Sequence, residues 1–159
     1  MHDDMKNGAG LRMVLFVSGC NHDCKGCCAP QTHDPDYGRK FDNDTLEEIY
    51  EYLGRDYTSG ITFSGGEPLY ESNLEEIYNL IVDIKEKFPT KNIWLYTGYT
   101  FEDAMQDKDR AKILELCDVV VDGEYIEDLK DDSSWGGSAN QRIIDVKETL
   151  DEGNIVLYT

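Results

Sequence analysis

The chain has 159 residues, 40% of them hydrophobic and 11% aromatic, which suits one domain with a substantial core. Its 33 acidic against 15 basic side chains leave a net charge of −18, which excludes nucleic acid and anionic membrane surfaces as partners. No apolar run approaches the ~20 residues of a membrane span, and the N-terminus lacks the basic-then-apolar layout of a signal peptide, so the expected compartment is the cytoplasm, where thiols stay reduced.

In chain order, the first predicted element is a strand, RMVLFVS (12–18), followed at once by GCNHDCKGCC. A helix follows in NDTLEEIYEYLGR (43–55), capped at Asn43 or Asp44, with Leu46, Ile49, Tyr50 and Leu53 on one face. GITFS (60–64) is a second strand and runs into SGGEP. ESNLEEIYNLIVDIKEKFP (71–89) carries a stripe of Leu74, Ile77, Leu80, Ile81 and Ile84 and is ended by Pro89. The strand NIWLYT (92–97) leads into TGY, then a helix over 103–116 turns Ile113 and Leu116 inward. DVVVDG (118–123) is a strand ending in DGE, RIID (142–145) another, and a short helix over 146–152 stops at Gly153 before a sixth strand, NIVLY (154–158).

The strands are nearly continuous in hydrophobicity, as expected of strands buried on both faces. Their alternation with helices predicts a single-domain α/β fold over residues 1–159. It would be an incomplete (partial) TIM-like barrel of mostly parallel strands with outer helices, six strands rather than eight. The polar, glycine-rich stretches follow strand ends, and in such folds those loops share one rim where ligands bind. Four motifs distant in sequence are therefore expected at one site.

Four cysteines, Cys20, Cys24, Cys27 and Cys28, fall within nine residues, and the fifth, Cys117, stands far away. An odd total in a reducing compartment argues against disulfides. Soft thiolates select iron–sulfur clusters, zinc or Cu(I). Structural zinc takes four ligands, so the fourth would be Cys28, His22, His33 or Cys117. A [4Fe–4S] cluster usually takes four cysteines; three leave one iron open to an external ligand. Adjacent Cys27 and Cys28 direct their side chains apart, which favours three ligands and an open iron, with zinc as the alternative. Gly19 and Gly26 suit a backbone wrapped closely around a cluster. Cys117, between a helix and a strand, is expected to be a small buried apolar residue.

Cys20-x3-Cys24-x2-Cys27 after a first strand, with TFSGGEPL after a second, resembles the radical S-adenosylmethionine (SAM) superfamily. NGAGLR (7–12), WLYTGY (94–99), DVVVDGEY (118–125) and above all WGGSANQRIIDV (135–146) narrow the resemblance to its anaerobic ribonucleoside-triphosphate reductase-activating group. Three positions depart from the superfamily pattern: Gly26 stands where an aromatic is common, and Cys28-Ala29 where a Tyr-Asn-like pair is expected. The residue that packs on adenine is left open among Tyr96, Tyr99 and Tyr125.

The resemblance implies that Cys20, Cys24 and Cys27 hold a [4Fe–4S] cluster with one iron not ligated by protein, completed by SAM. It also implies that Gly26, Cys28, Ser64, Gly65, Gly66 and Glu67 line SAM, the Glu67 carboxylate suiting its ammonium. Thr97, Asp122 and Gly123 are candidates for the ribose or adenine, with a strand-end turn residue the equal rival for Asp122. Arg12, Asn140, Gln141 and Arg142 are further candidates for SAM's carboxylate or a partner loop, arginine suiting planar carboxylates. The implied reaction is reductive cleavage of SAM, the 5′-deoxyadenosyl radical removing hydrogen from a glycine of the reductase large subunit. A flavodoxin or ferredoxin would be the electron donor. The rivals are a small-molecule radical SAM enzyme of the 7-carboxy-7-deazaguanine synthase type, an activase of another glycyl radical enzyme, and a non-catalytic zinc or electron-transfer domain.

Overall fold

A computed structural model describes residues 2–19, 22, 41–131 and 135–159. Its centre is one five-stranded sheet in sequential order: β1 (Arg12–Val17), β2 (Gly60–Gly65), β3 (Asn92–Tyr96), β4 (Val119–Asp122) and β5 (Arg142–Asp145). The first four strands pair in parallel and β5 pairs antiparallel with β4. The helices are α1 (Asn43–Leu53), α2 (Leu74–Lys87), α3 (Phe101–Met105), α4 (Lys108–Leu116) and α5 (Val146–Glu152). None of the described helices is long and apolar enough to cross a membrane.

Strand register divides the sheet into two unlike faces. Met13, Leu15, Val17, Ile61, Phe63, Ile93, Leu95, Val120 and Ile144 share one face, which packs on the helices. There α1 contributes Ile49, Tyr52 and Leu53, and α2 contributes Ile77, Leu80, Ile81 and Ile84, all buried. Each such side chain stabilises the fold by about 1.5–3 kcal/mol through removal from water. Arg12, Thr62, Trp94, Tyr96, Val119, Val121 and Ile143 lie on the other face, which none of the described helices covers. Ala9, Trp135 and Tyr158 pack there instead. Trp94 meets the rings of Trp135 and Tyr158 edge-on at 5.1 and 5.2 Å.

Three local expectations need correction. First, the cap of α1 is Asp42, whose carboxylate accepts from Thr45 N. Second, the helix expected over 103–116 is two, because Asp107 takes extended backbone and caps α4 by accepting from Asp109 N and Arg110 N. That shift buries Leu114 beside Ile113 and leaves Leu116 at the core's edge. Third, residues 154–158 form only an isolated bridge between Ile144 and Leu157. The Val156 amide donates to the Thr149 hydroxyl of α5 rather than entering a ladder. Antiparallel β5 has a matching cause: between β4 and β5 the described chain holds only a short 3-10 turn, Glu127–Leu129, and no crossover helix for parallel return.

Candidate functional site

The carboxyl ends of β1 to β4 carry the described part of the site. The chain leaves β1 through Gly19, which has φ of 100°, and leaves β2 through Gly65, with φ of 102°. A Cβ on Gly65 would come within 2.6 Å of Val17 N, so only glycine allows the two strand ends to run this close. Gly66 N donates to Val17 O and Glu67 N to Gly19 O, and the Asn73 amide donates to Ser18 O and Glu67 O. The SGGEP loop is therefore bonded directly to the stretch that enters the cysteine loop. Cys20, Cys24, Gly26, Cys27, Cys28 and His33 lie outside the described residues.

Glu67 is the hub. Its side chain is fully buried, a costly place for a carboxylate unless hydrogen bonds compensate. Here they do. Oε1 accepts from Thr97 Oγ1 at 2.9 Å, Gly98 N at 2.7 Å and His22 Nε2 at 2.6 Å, and Oε2 accepts from Leu69 N at 2.9 Å. Thr97, expected near the nucleotide, thus commits its hydroxyl hydrogen to Glu67.

His22 lies between the first two cysteines in sequence. Its Nε2 faces Glu67 and its Nδ1 faces Glu124 Oε1 at 3.1 Å, while Tyr99 packs on the ring edge-to-face at 4.6 Å. Desolvation is the largest single influence on this imidazole and lowers its pKa. The hydrogen bonds and charges of Glu67 and Glu124 outweigh it and raise the value above the usual histidine range. Both ring nitrogens of His22 thus face carboxylates. Cys117 is excluded from the rim by position: it precedes β4 at the far end of the strands, buried, with Sγ against Ile113 O. Burial pushes its thiol pKa well up. Among the described residues no group of three His, Cys, Asp or Glu could hold a metal ion.

The SANQR stretch braces the rim. Gln141 Oε1 accepts from Gly137 N and Ser138 N, and its Nε2 donates to Gly123 O. Asn140 Nδ2 donates to Glu124 O and its Oδ1 accepts from Ser138 Oγ. Arg142 grips both Asp122 and Glu102. Asp122 is buried and also accepts from Phe101 N, which anchors the start of α3, so it behaves as the strand-end residue rather than a free acceptor. Asp122, Gly123, Asn140 and Arg142 do line one cleft of about 560 Å³, together with Glu102 and Glu124. A second cleft of about 420 Å³ lies beside it, bordered by His22, Gly98, Tyr99 and Asp103. Thr100 and Glu124 border both.

Arg12 is not brought to this site. It opens β1 at the opposite end of the sheet, fully buried, and donates to Thr62 Oγ1, Ala9 O, Ile61 O and Asn92 Oδ1 with its guanidinium 5.4 Å from the Trp94 ring centre. Desolvation there lowers its pKa to about 10. Of the aromatics proposed for adenine, Tyr96 belongs to the second core cluster and donates to Trp135 O, and Tyr99 is held between His22 and Arg110. Sequence reasoning missed two residues. Arg110 ties α4 to Leu69 O and Tyr99 Oη, and Phe16 is 50% exposed at the end of β1 on the same face as Ser64. Strand alternation was the available signal for Phe16; nothing in the sequence pointed to Arg110.

The donor chemistry fits the implied groups. Cys117 is remote from the rim and His22 faces two carboxylates, so among the described residues neither is set to join the ligands of a cluster. The clefts set Glu102, Asp103 and Glu124 against Arg142, a predominantly acidic lining that disfavours an anionic ligand.

Comparison with known proteins agrees in extent. A family model described as a 4Fe-4S single cluster domain matches residues 6–144. The chain is 44% identical over 140 residues to the anaerobic ribonucleoside-triphosphate reductase-activating protein of Enterobacteria phage T4, covering 88% of this chain and 87% of that one. It is 38% identical over 141 residues to the protein of the same name from Escherichia coli (strain K12), covering 87% and 90%. It is 39% identical over 143 residues to that of Haemophilus influenzae, covering 88% and 91%. The residues that the family model matches take in the cysteine loop, the SGGEP loop and the rim. No solved structure matches this chain.

Proposed function

The chain belongs to the family of anaerobic ribonucleoside-triphosphate reductase-activating proteins, and on that premise we propose that it activates its reductase as a radical SAM enzyme. Residues 1–159 would form one activase domain, its sequential parallel strands the run of an incomplete barrel with outer helices. Cys20, Cys24 and Cys27 would hold the [4Fe–4S] cluster, leaving one iron to SAM. Gly26, Cys28, Ser64, Gly65, Gly66 and Glu67 would line the methionyl end of SAM, and the cleft at Asp122, Gly123, Asn140 and Arg142 would take the nucleoside or the partner's loop. When bound, the reduced cluster and SAM together supply the 5′-deoxyadenosyl radical that abstracts hydrogen from a glycine of the reductase large subunit. The chain's own residues position and exclude: the amides of the SGGEP loop fix its path against β1, and Glu67 binds that loop to the end of β3. The electron donor would be a flavodoxin or ferredoxin, and the compartment the cytoplasm.

The observation that carries this reading is the direct bonding of the SGGEP loop to the entry of the cysteine loop, Glu67 N to Gly19 O at 2.6 Å. Anaerobically reconstituted protein should contain about four iron and four sulfide per chain, and with dithionite it should convert SAM to 5′-deoxyadenosine. Bound zinc, or a cluster that leaves SAM intact, would favour the non-catalytic alternative.

A further inference from the structure

Asn73 stands at the start of α2, where an asparagine side chain ordinarily caps the helix, yet it makes no capping hydrogen bond. Its amide turns the other way. Nδ2 donates to Ser18 O at 2.8 Å, just past the end of β1 and 55 residues back in sequence. The same nitrogen donates to Glu67 O at 3.1 Å, in the loop that follows β2. The backbone of Glu67 is thereby held on both sides: its amide donates to Gly19 O, and its carbonyl accepts from Tyr70 N as well as from Asn73.

We infer that Asn73 is a positioning residue that fixes the Ser64–Glu67 loop against the end of β1. The inference rests on the reading of that loop as a wall of the SAM site. Where the loop leaves β2, Gly66 N donates to Val17 O and Glu67 N to Gly19 O. Asn73 adds the tie at the exit, because one planar amide spans the Ser18 and Glu67 carbonyls and sets their separation. That task needs a donor. A carboxylate of the same size only accepts, and would turn oxygen towards two carbonyl oxygens. Capping α2 needs the opposite, an acceptor, for which aspartate serves as well as asparagine and adds a favourable charge at the helix N-terminus. The two roles predict opposite outcomes for one substitution. A lining held in its bound shape in advance appears as affinity for the ligand.

The test uses the full chain, reconstituted anaerobically, with iron and sulfide content, hydrogen–deuterium exchange, and SAM affinity by equilibrium dialysis. Asn73→Asp should keep wild-type iron content and bind SAM at least about tenfold more weakly, the loss expected for two hydrogen bonds. Exchange should quicken over residues 64–70 and stay unchanged over α2. Asn73→Ser, which can cap a helix but is too short to span both carbonyls, should weaken SAM binding by about fivefold. SAM affinity and loop exchange unchanged in Asn73→Asp would assign the residue to the helix and overturn the inference. Weaker SAM binding matched by an equal loss of iron would overturn it too, by moving the effect to the cluster. Should Asn73→Asp not fold, Asn73→Ser decides: weaker SAM binding at full iron content supports the inference, and unchanged binding overturns it. Wild-type protein that holds its cluster yet binds no SAM overturns the underlying reading, and the role of Asn73 with it.

Discussion

At the residue scale the contrast between Arg12 and Glu67 shows what a sequence conceals. Both are charged residues in motifs, and both are fully buried. Glu67 sits at the rim, where four donors from three segments meet it. Arg12 sits at the other end of the sheet among neutral acceptors beside Trp94. Position along the strand separates them: a residue that opens a parallel strand cannot share the rim with one that follows its end. Arg12→Ala would leave Thr62, Asn92 and Ala9 without their donor and open a cavity. It should therefore cost about 3 kcal/mol or more in chemical denaturation. The folded fraction should bind SAM as wild type does, and weaker binding at intact stability would return Arg12 to the site.

At the element scale, the five strands of the sheet and its mostly parallel character were legible because apolar runs bounded by glycine and acidic turns mark buried strands. The sixth strand shortens to a single bridge: Val156 O and Tyr158 N still bond to the β5 backbone, but the Val156 amide donates to the Thr149 hydroxyl of α5. The rim loops were legible as a group, yet their bracing was not. His22 to Glu124 and Arg142 to Glu102 are separated by 102 and 40 residues, and no periodicity encodes such pairings. The Arg142 contact ties β5 to α3. Its hydrogen bonds hold the Glu102 carboxyl below its usual range. A carboxyl with a lowered folded pKa adds stability above its ordinary pKa and loses it as pH falls through the lowered value. Glu102 is mostly exposed, so solvent screening limits the effect to under about 1 kcal/mol. Melting temperatures of wild type and Glu102→Gln should differ slightly at neutral pH and converge in acid; a gap that widens in acid would refute the assignment.

At the scale of the whole molecule, helices cover one face of the sheet, while the N-terminal segment, Trp135 and Tyr158 cover only part of the other. The half-exposed Phe16 marks where that cover stops, next to the loops that follow β1 and β2. The net charge of −18 favours approach to a basic surface on the reductase. The most direct test combines the reconstituted protein, SAM, dithionite and the reductase large subunit under strict anaerobiosis, read by electron paramagnetic resonance. The account predicts a glycyl radical on the large subunit that needs SAM and all of Cys20, Cys24 and Cys27. A fully loaded cluster that consumes SAM but leaves no radical on the large subunit would contradict it.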